Sequence, residues 1–455
     1  MEVRPLVLTL LGESMTTRLL ALAVSSVVAV PLSALAQGSS VQIYGTLNVD
    51  FENVQTSGAT AVSPLPAGQL GATPTGVNSS SRNRVTSNSS NIGFKGVEDV
   101  GGGLSVVFQV ESAVGVDNQA TFSANTASGS AVGGGFATRN TNVGVVGPFG
   151  TVFYGQWDTP YKAISGAVDP LYFTGIAYTG AIIGTPGFGI GPVTNGNVTL
   201  SADGRSYANA VNASFERRQG NSVQYWSPNF SGLKARIVYS ANEGKSSNSP
   251  AVTQVNPTIF GLSAEFETGS VYVAWGYERH DDYFGLGAIA PAAQAVPVAA
   301  VGGVPSASSR DTGNKFVARY TLGNTEVGAI YERLKYDQTN GTAAASAFKS
   351  YDRNAYAVTL VHKIGAGAVR ALYGRGQEGG CTLVGGGACS ASGLGAQQYT
   401  LGYSYQLSTR TDLYGFYTRI INDEHATYQF ANAAGIGATA GADNLGFGLG
   451  IRHTF

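Results

Sequence analysis

Few side chains in this sequence have the types and spacing for chemistry. Cys381 and Cys389 stand eight apart in a Gly-rich stretch. In an oxidising compartment such a pair closes a loop as a disulfide; two free thiols or a shared metal are the other uses. No His lies nearby to complete a zinc set, and no metal site is expected. His280 is followed by Asp281 and Asp282, and His425 is preceded by Asp423 and Glu424. Asp and His gathered at a rim could serve a surface protease, but solvated charge is the commoner use of such runs. His453 is read as structural. The Gly runs at 101–103 and 133–135 do not open a helix after a strand, so no nucleotide fingerprint is present and no cofactor is expected. No basic cluster carries interleaved aromatics, which argues against a nucleic-acid partner.

What remains is charge. The stretch 157–219 carries Asp158, Lys162, Asp169, Asp203, Arg205, Glu216, Arg217 and Arg218. Other charges fall at alternate positions among polar or small neighbours: Lys95, Lys234, Arg236, Lys315, Arg319, Arg370 and Arg452, with Glu111, Glu278, Glu326 and Glu332. Basic groups outnumber acidic ones in this set, a weak lean toward anions.

Such charges need elements that bring them to one surface, and the sequence period supplies them. In 444–455, Leu445, Phe447, Leu449, Ile451 and Phe455 share one parity, and Asn444, Gly446, Gly448, Gly450, Arg452 and Thr454 share the other. A period of two is a strand with one apolar face. Sixteen segments repeat it with varying quality: 41–54, 88–98, 104–116, 138–147, 150–156, 220–227, 233–240, 258–267, 271–280, 312–321, 325–336, 352–363, 367–375, 396–406, 411–421 and 444–455. Charged residues are only 12%, about half the usual share, and Gly is 63 of 455, about twice it. No mature segment approaches the roughly 18–20 apolar residues of a spanning helix. Low charge without apolar runs fits strands whose apolar parity meets lipid while the other parity meets a lumen. The net charge of −1 names no polyanionic partner.

The links between these segments alternate between short and long. Short links are rich in Gly, Asn and Pro; long ones run over 55–87, 117–137, 157–219, 241–257, 281–311, 337–351, 376–395 and 422–443. Eight long and seven short links place both termini on the short-turn side, so the last strand can pair with the first and leave no edge. The expected fold is an all-β, antiparallel, sixteen-stranded transmembrane barrel over 37–455. Residues 1–36 read as an export signal starting at Met15: Arg18 closes a basic region, an apolar run covers 19–30, and Ala34-Leu35-Ala36 offers a cleavage site.

Five stretches carry a family likeness: VQIYG at 41–45, NIGFKGVED at 91–99, GPFGTV at 147–152, NSVQYWSPNFSGL at 221–233 and the closing GIRHTF at 450–455. Together they resemble the general porins of Gram-negative bacteria, particularly the Burkholderia and Neisseria type. That resemblance implies a homotrimer of water-filled diffusion pores in the outer membrane, in contact with lipid and lipopolysaccharide. It implies that the third long loop, 157–219, folds inward as a constriction, and that Phe455 marks the precursor for the barrel-assembly machinery. It places Asp158 and Asp169 on the acidic side of the constriction and Arg217 and Arg218 on the basic side. The chain departs from the family at four positions, with Asn48, Asn91, Asn142 and Gln156 where charges are common. The expected function is passive passage of ions and small polar solutes, with no enzyme activity. A channel dedicated to a sugar or dicarboxylate is the alternative, and an adhesive barrel is a third reading.

Overall fold

A computed structural model describes residues 40–117, 136–171, 175–187, 213–241, 243, 245, 256–286, 308–339, 346–430, 436–437 and 439–455. The expected export signal and the charges Asp203 and Arg205 lie outside them.

Alternation in the sequence becomes strands of alternating exposure. They are β1 (Ser40–Ser57), β2 (Arg82–Ser87 continued by Asn91–Gly101), β3 (Leu104–Ala113), β4 (Thr141–Gly147), β5 (Gly150–Asp158), β6 (Arg218–Trp226), β7 (Leu233–Ser240) and β8 (Thr258–Thr268). The second half is β9 (Val271–Asp281), β10 (Ser308–Leu322), β11 (Thr325–Thr339), β12 (Phe348–Ile364), β13 (Gly367–Gly376 continued by Gly380–Leu383), β14 (Ala396–Ser408), β15 (Thr411–Asn422) and β16 (Asp443–Thr454). Each strand pairs antiparallel with its sequence neighbours, and β16 pairs with β1 from Thr46↔Thr454 to Ser57↔Asp443. The ring of sixteen is closed, so no strand edge is left unpaired.

The outer face carries the apolar parity. Phe447, Leu449 and Ile451 of β16, Ile237 and Tyr239 of β7, and Phe316 and Tyr320 of β10 are exposed, Leu449 by 66%. Their sequence neighbours Gly446, Gly448, Val238 and Val317 point inward and are buried. Large apolar groups outside and small or polar ones inside is the arrangement of a barrel in lipid. One end is closed by tight turns such as 323–324 and 365–366, where Gly323 (φ 57°) and Gly365 (φ 60°) take the left-handed backbone these turns need. The other end carries long loops, here L1 (58–81), L2 (114–140), L3 (159–217), L4 (241–257), L5 (282–307), L6 (340–347), L7 (377–395, around the second piece of β13) and L8 (423–442).

Two strands reach further than their side-chain pattern indicates. Residues 82–87, expected within a link, extend β2 and pair with Val49–Val54 of β1. Asn88–Ser90 interrupts that strand, and Asn48 fills the gap: its N–H donates to Ser90 Oγ at 2.9 Å and its C=O accepts from Asn88 N at 2.7 Å. Val85 is the lone apolar residue of the added piece, so its strand character comes from the partner strand rather than from alternation. Likewise Gly380–Leu383 pairs with Phe348–Asp352 above the point where β13 breaks.

Candidate functional site

The charges of the inner wall and of L3 define the candidate site, and L3 organises it. The loop leaves β5 through Thr159, whose Oγ1 accepts from Lys162 N, and Pro160 starts a one-turn helix, α1 (Pro160–Ala163). Three short 3-10 turns follow, Ile164–Val168, Gly175–Ala177 and Thr179–Ala181. Ile164, Val168, Leu171, Ile176 and Ile182 are buried in one apolar cluster with Tyr272, Ala274, Val317, Ile330, Ala355, Leu372, Phe416 and Ile420 of the inner wall. Wall glycines make the room. A Cβ on Gly276 would stand 2.8 Å from Ile164 Cδ1, one on Gly328 2.7 Å from Val168 Cβ, and one on Gly446 2.7 Å from Ile176 Cδ1. L3 therefore starts with α1 against β7–β9 and runs on along the inside of β9–β16, seated on small residues.

Buried ions fasten it there. Lys315 Nζ of β10 donates to Glu216 Oε1 and Ser165 Oγ of L3, each at 2.8 Å, and lies 4.1 Å from the Tyr161 ring centre. Glu332 of β11 accepts from Tyr161 OH and Gly184 N, both at 2.8 Å. Arg353 of β12 bonds Glu332 at 3.3 Å and donates to the carbonyls of Ile182 and Thr185. All three wall charges have fully buried side chains. Arg319 and Arg370 donate to the loop carbonyls of Ala167 (3.1 Å) and Pro170 (2.7 Å). Burial pushes the Glu216 carboxyl above the ordinary carboxylate range, and the Lys315 ammonium works against that shift. Each of these buried charges faces an opposite charge, so removing one member leaves a buried charge with fewer partners.

These contacts redistribute the charges nominated from sequence. Asp158 and Arg218, expected on opposite sides of an opening, are register partners on β5 and β6 and bond each other at 3.3 Å, with Lys162 2.9 Å from the same Asp158 oxygen. Asp169 is held within L3 by Leu171 N (3.1 Å) and by the Thr179 hydroxyl (3.2 Å). Arg217 is wholly buried, bonded to Gln219 and stacked 4.9 Å over the Tyr283 ring. Lys315 and Glu278 point inward but are covered, Lys315 by L3 and Glu278 in a 2.8 Å contact with buried His280. His280 itself stacks on Phe215 of L3, and His425 is buried in L8, so neither is a solvated rim group.

The inner wall of β1–β8 is different. Arg84 bonds Glu52 at 2.6 Å, Arg139 bonds Glu111 at 2.6 Å, and Arg236 bonds Glu265 at 3.2 Å. In the first two pairs the carboxylate is buried (0% and 6% exposed) and the guanidinium is the more open partner (13% and 18%). Lys95 lies over Tyr44, and Lys234 is partly open on β7. On the other half, Arg319 faces Glu326 at 3.9 Å, and Arg452 faces Asp412 at 3.7 Å. Sequence pattern missed Arg84, Arg139 and Arg353. Arg84 sits in a stretch without apolar alternation, Arg139 at the polar start of its segment, and Arg353 where β12 is polar on both faces; pairing with neighbouring strands is the signal that places them.

Of the four expected departures, Asn48 is buried, with its Oδ1 accepting from Tyr414 OH at 2.7 Å. Phe455 exchanges backbone hydrogen bonds with Gly45, at 3.1 and 3.2 Å, and closes the seam between the chain's ends. Cys381 and Cys389 are bonded to each other, with Cα atoms 5.8 Å apart. Among the described residues no group of three or more His, Cys, Asp and Glu could hold a metal.

The sequence model of the family described as Gram-negative porin matches residues 21–425. The outer membrane porin protein 32 of Delftia acidovorans is 26% identical, over 94% of this chain and 98% of that protein. The major outer membrane protein P.IA of Neisseria meningitidis is 34% identical over 150 residues, covering 31% of this chain and 34% of that protein. Among solved structures, the anion-selective porin from Comamonas acidovorans superposes with a TM-score of 0.64 at 22% identity, over 92% of this chain and 100% of that one.

Proposed function

This chain belongs to the Gram-negative porin family, and we propose that solutes cross its lumen between L3 and the wall of β1–β8, with anions preferred. The protein is a diffusion channel of the Gram-negative outer membrane. One observation carries the finer reading. On the wall that L3 leaves free, carboxylates Glu52 and Glu111 are buried behind guanidinium groups Arg84 and Arg139, so the water-facing surface is more basic than the count of charges. Lys95 and Lys234 add to it. Fixed cations along a narrow aqueous path raise the local concentration of anions and lower their barrier. The relative from Comamonas is itself described as anion-selective. The paired charges around Asp158 make the field local rather than a single field across the opening.

Passage needs no catalytic step, and the porin family is not an enzyme class. We read the assembly as a homotrimer in contact with lipid and lipopolysaccharide, residues 1–36 as a cleaved export signal, and Phe455 as the signal to the barrel-assembly machinery; these follow the family. The reversal potential across a planar bilayer in a potassium chloride gradient tests the preference. Its sign should report chloride as the more permeant ion. A clear cation sign would overturn the proposal.

A further inference from the structure

Three long loops on one side of the rim are hydrogen-bonded to one another. L1 leaves the rim between β1 and β2, L7 between β13 and β14, and L8 between β15 and β16. L1 and L7 meet as short extended segments: Leu70 N donates to Ser390 O and Ser390 N to Gly68 O, both at 2.9 Å. Gln69 Nε2 donates to Ser392 O, also at 2.9 Å. L8 joins them through Ala72 N to His425 O (3.2 Å), His425 N to Gly393 O (2.8 Å) and Thr60 N to Ala440 O (2.9 Å). Thr427 N then donates to Gly187 O of L3 at 3.0 Å, so the body continues down to the constriction loop.

L1 also reaches inward. Leu70 is fully buried in an apolar cluster with Leu334 and Tyr336 of β11, Phe348 and Tyr351 of β12, and Leu394 of L7. In the ring β1 and β2 do not neighbour β11 and β12, yet Leu70 of L1 is buried in one cluster with residues of β11 and β12, so L1 reaches well inside the rim on the L7 side. Cys381 and Cys389 pack against the same cluster. Cys389 is the residue next to Ser390, and its bond to Cys381 ties the L1 seat to the strand piece paired with β12. Opening that bond returns conformational freedom to the segment that holds L1 in place.

We propose that L1, L7 and L8 form a roof, pinned by the Cys381–Cys389 disulfide, that acts as an outer size filter for polar solutes of the sugar class, in series with L3. This rests on the diffusion-channel function. The test uses the full chain in liposomes, with swelling driven by a pentose and by a trisaccharide. Four forms are compared: wild type, wild type reduced after assembly with thiols confirmed by alkylation and mass, Cys381→Ser/Cys389→Ser, and Leu70→Asp. Reduction of assembled protein separates loss of the pin from failure to fold. Pentose swelling should stay near the wild-type rate in all four, while trisaccharide swelling rises several-fold in the three altered forms. An unchanged or lower ratio of trisaccharide to pentose in the reduced protein and in Leu70→Asp, with the barrel intact by circular dichroism, would overturn the filter. Absence of pentose swelling in every form would instead overturn the channel function beneath it.

Discussion

The inner wall of β9–β16 and the inner wall of β1–β8 carry different side chains beneath the same outer coat. On the first, Gly276, Gly328 and Gly446 leave a bed for Ile164, Val168 and Ile176, and Lys315, Glu332 and Arg353 are spent fastening L3. On the second, ion pairs such as Arg84–Glu52 and Arg139–Glu111 join wall and rim residues to one another rather than to L3, with the guanidinium groups the more open partners. Outside, Leu449 on one half and Ile237 on the other are alike in exposing an apolar side chain. The lesson is that alternation specifies only which side of the wall a residue takes. Whether an inward charge holds a loop or meets a solute depends on what lies over it.

The largest expected effect breaks the fastening. Lys315→Met leaves Glu216 buried without its bonded cation, while Glu332 keeps Arg353, and should cost about 3–5 kcal/mol. Urea unfolding in lipid vesicles measures the loss, and adding Glu216→Gln should restore part of it. A Lys315→Met protein as stable as wild type would mean that L3 is not held by this network.

Next comes the shared outer coat. Arg at Leu449 or at Ile237 should cost roughly 2–4 kcal/mol near the bilayer midplane, and the two values should agree if both halves face lipid. The same unfolding measurement decides it, and a cost on one half alone would break the equivalence.

Filling the bed is a smaller perturbation. Gly328→Leu places carbon where Val168 packs, and overpacking of this kind costs about 1–3 kcal/mol. Single-channel recordings should show noisier conductance as L3 lifts from the wall. Steady wild-type conductance would show that the loop does not depend on the bed.

The smallest change concerns the free wall. Lys95→Gln and Lys234→Gln should alter stability by no more than about 0.5 kcal/mol, yet together move the reversal potential toward cations. An unmoved potential would remove these lysines from the solute path.

The barrel was legible because lipid enforces alternation over most of each strand: all sixteen segments expected from parity are strands, and β16 closes on β1. What escaped lies above the apolar zone, where no solvent contrast separates the two faces. Residues 82–87 and 380–383 are strands through pairing alone. The individual lumen charges were less legible than their direction. Lys315, Arg319 and Arg370 point inward by parity, but their bonds to L3 depend on where a loop 99 to 200 residues earlier comes to rest. The placement of Asp158 beside Arg218 is a matter of register between β5 and β6, which loop length leaves open.

If a continuous aqueous path runs beside L3, current should pass through the folded protein. Purified protein inserted in a planar lipid bilayer should give stable steps of conductance, linear in voltage and rising with salt concentration. Protein with an intact barrel by circular dichroism that inserts and passes no current would contradict the account.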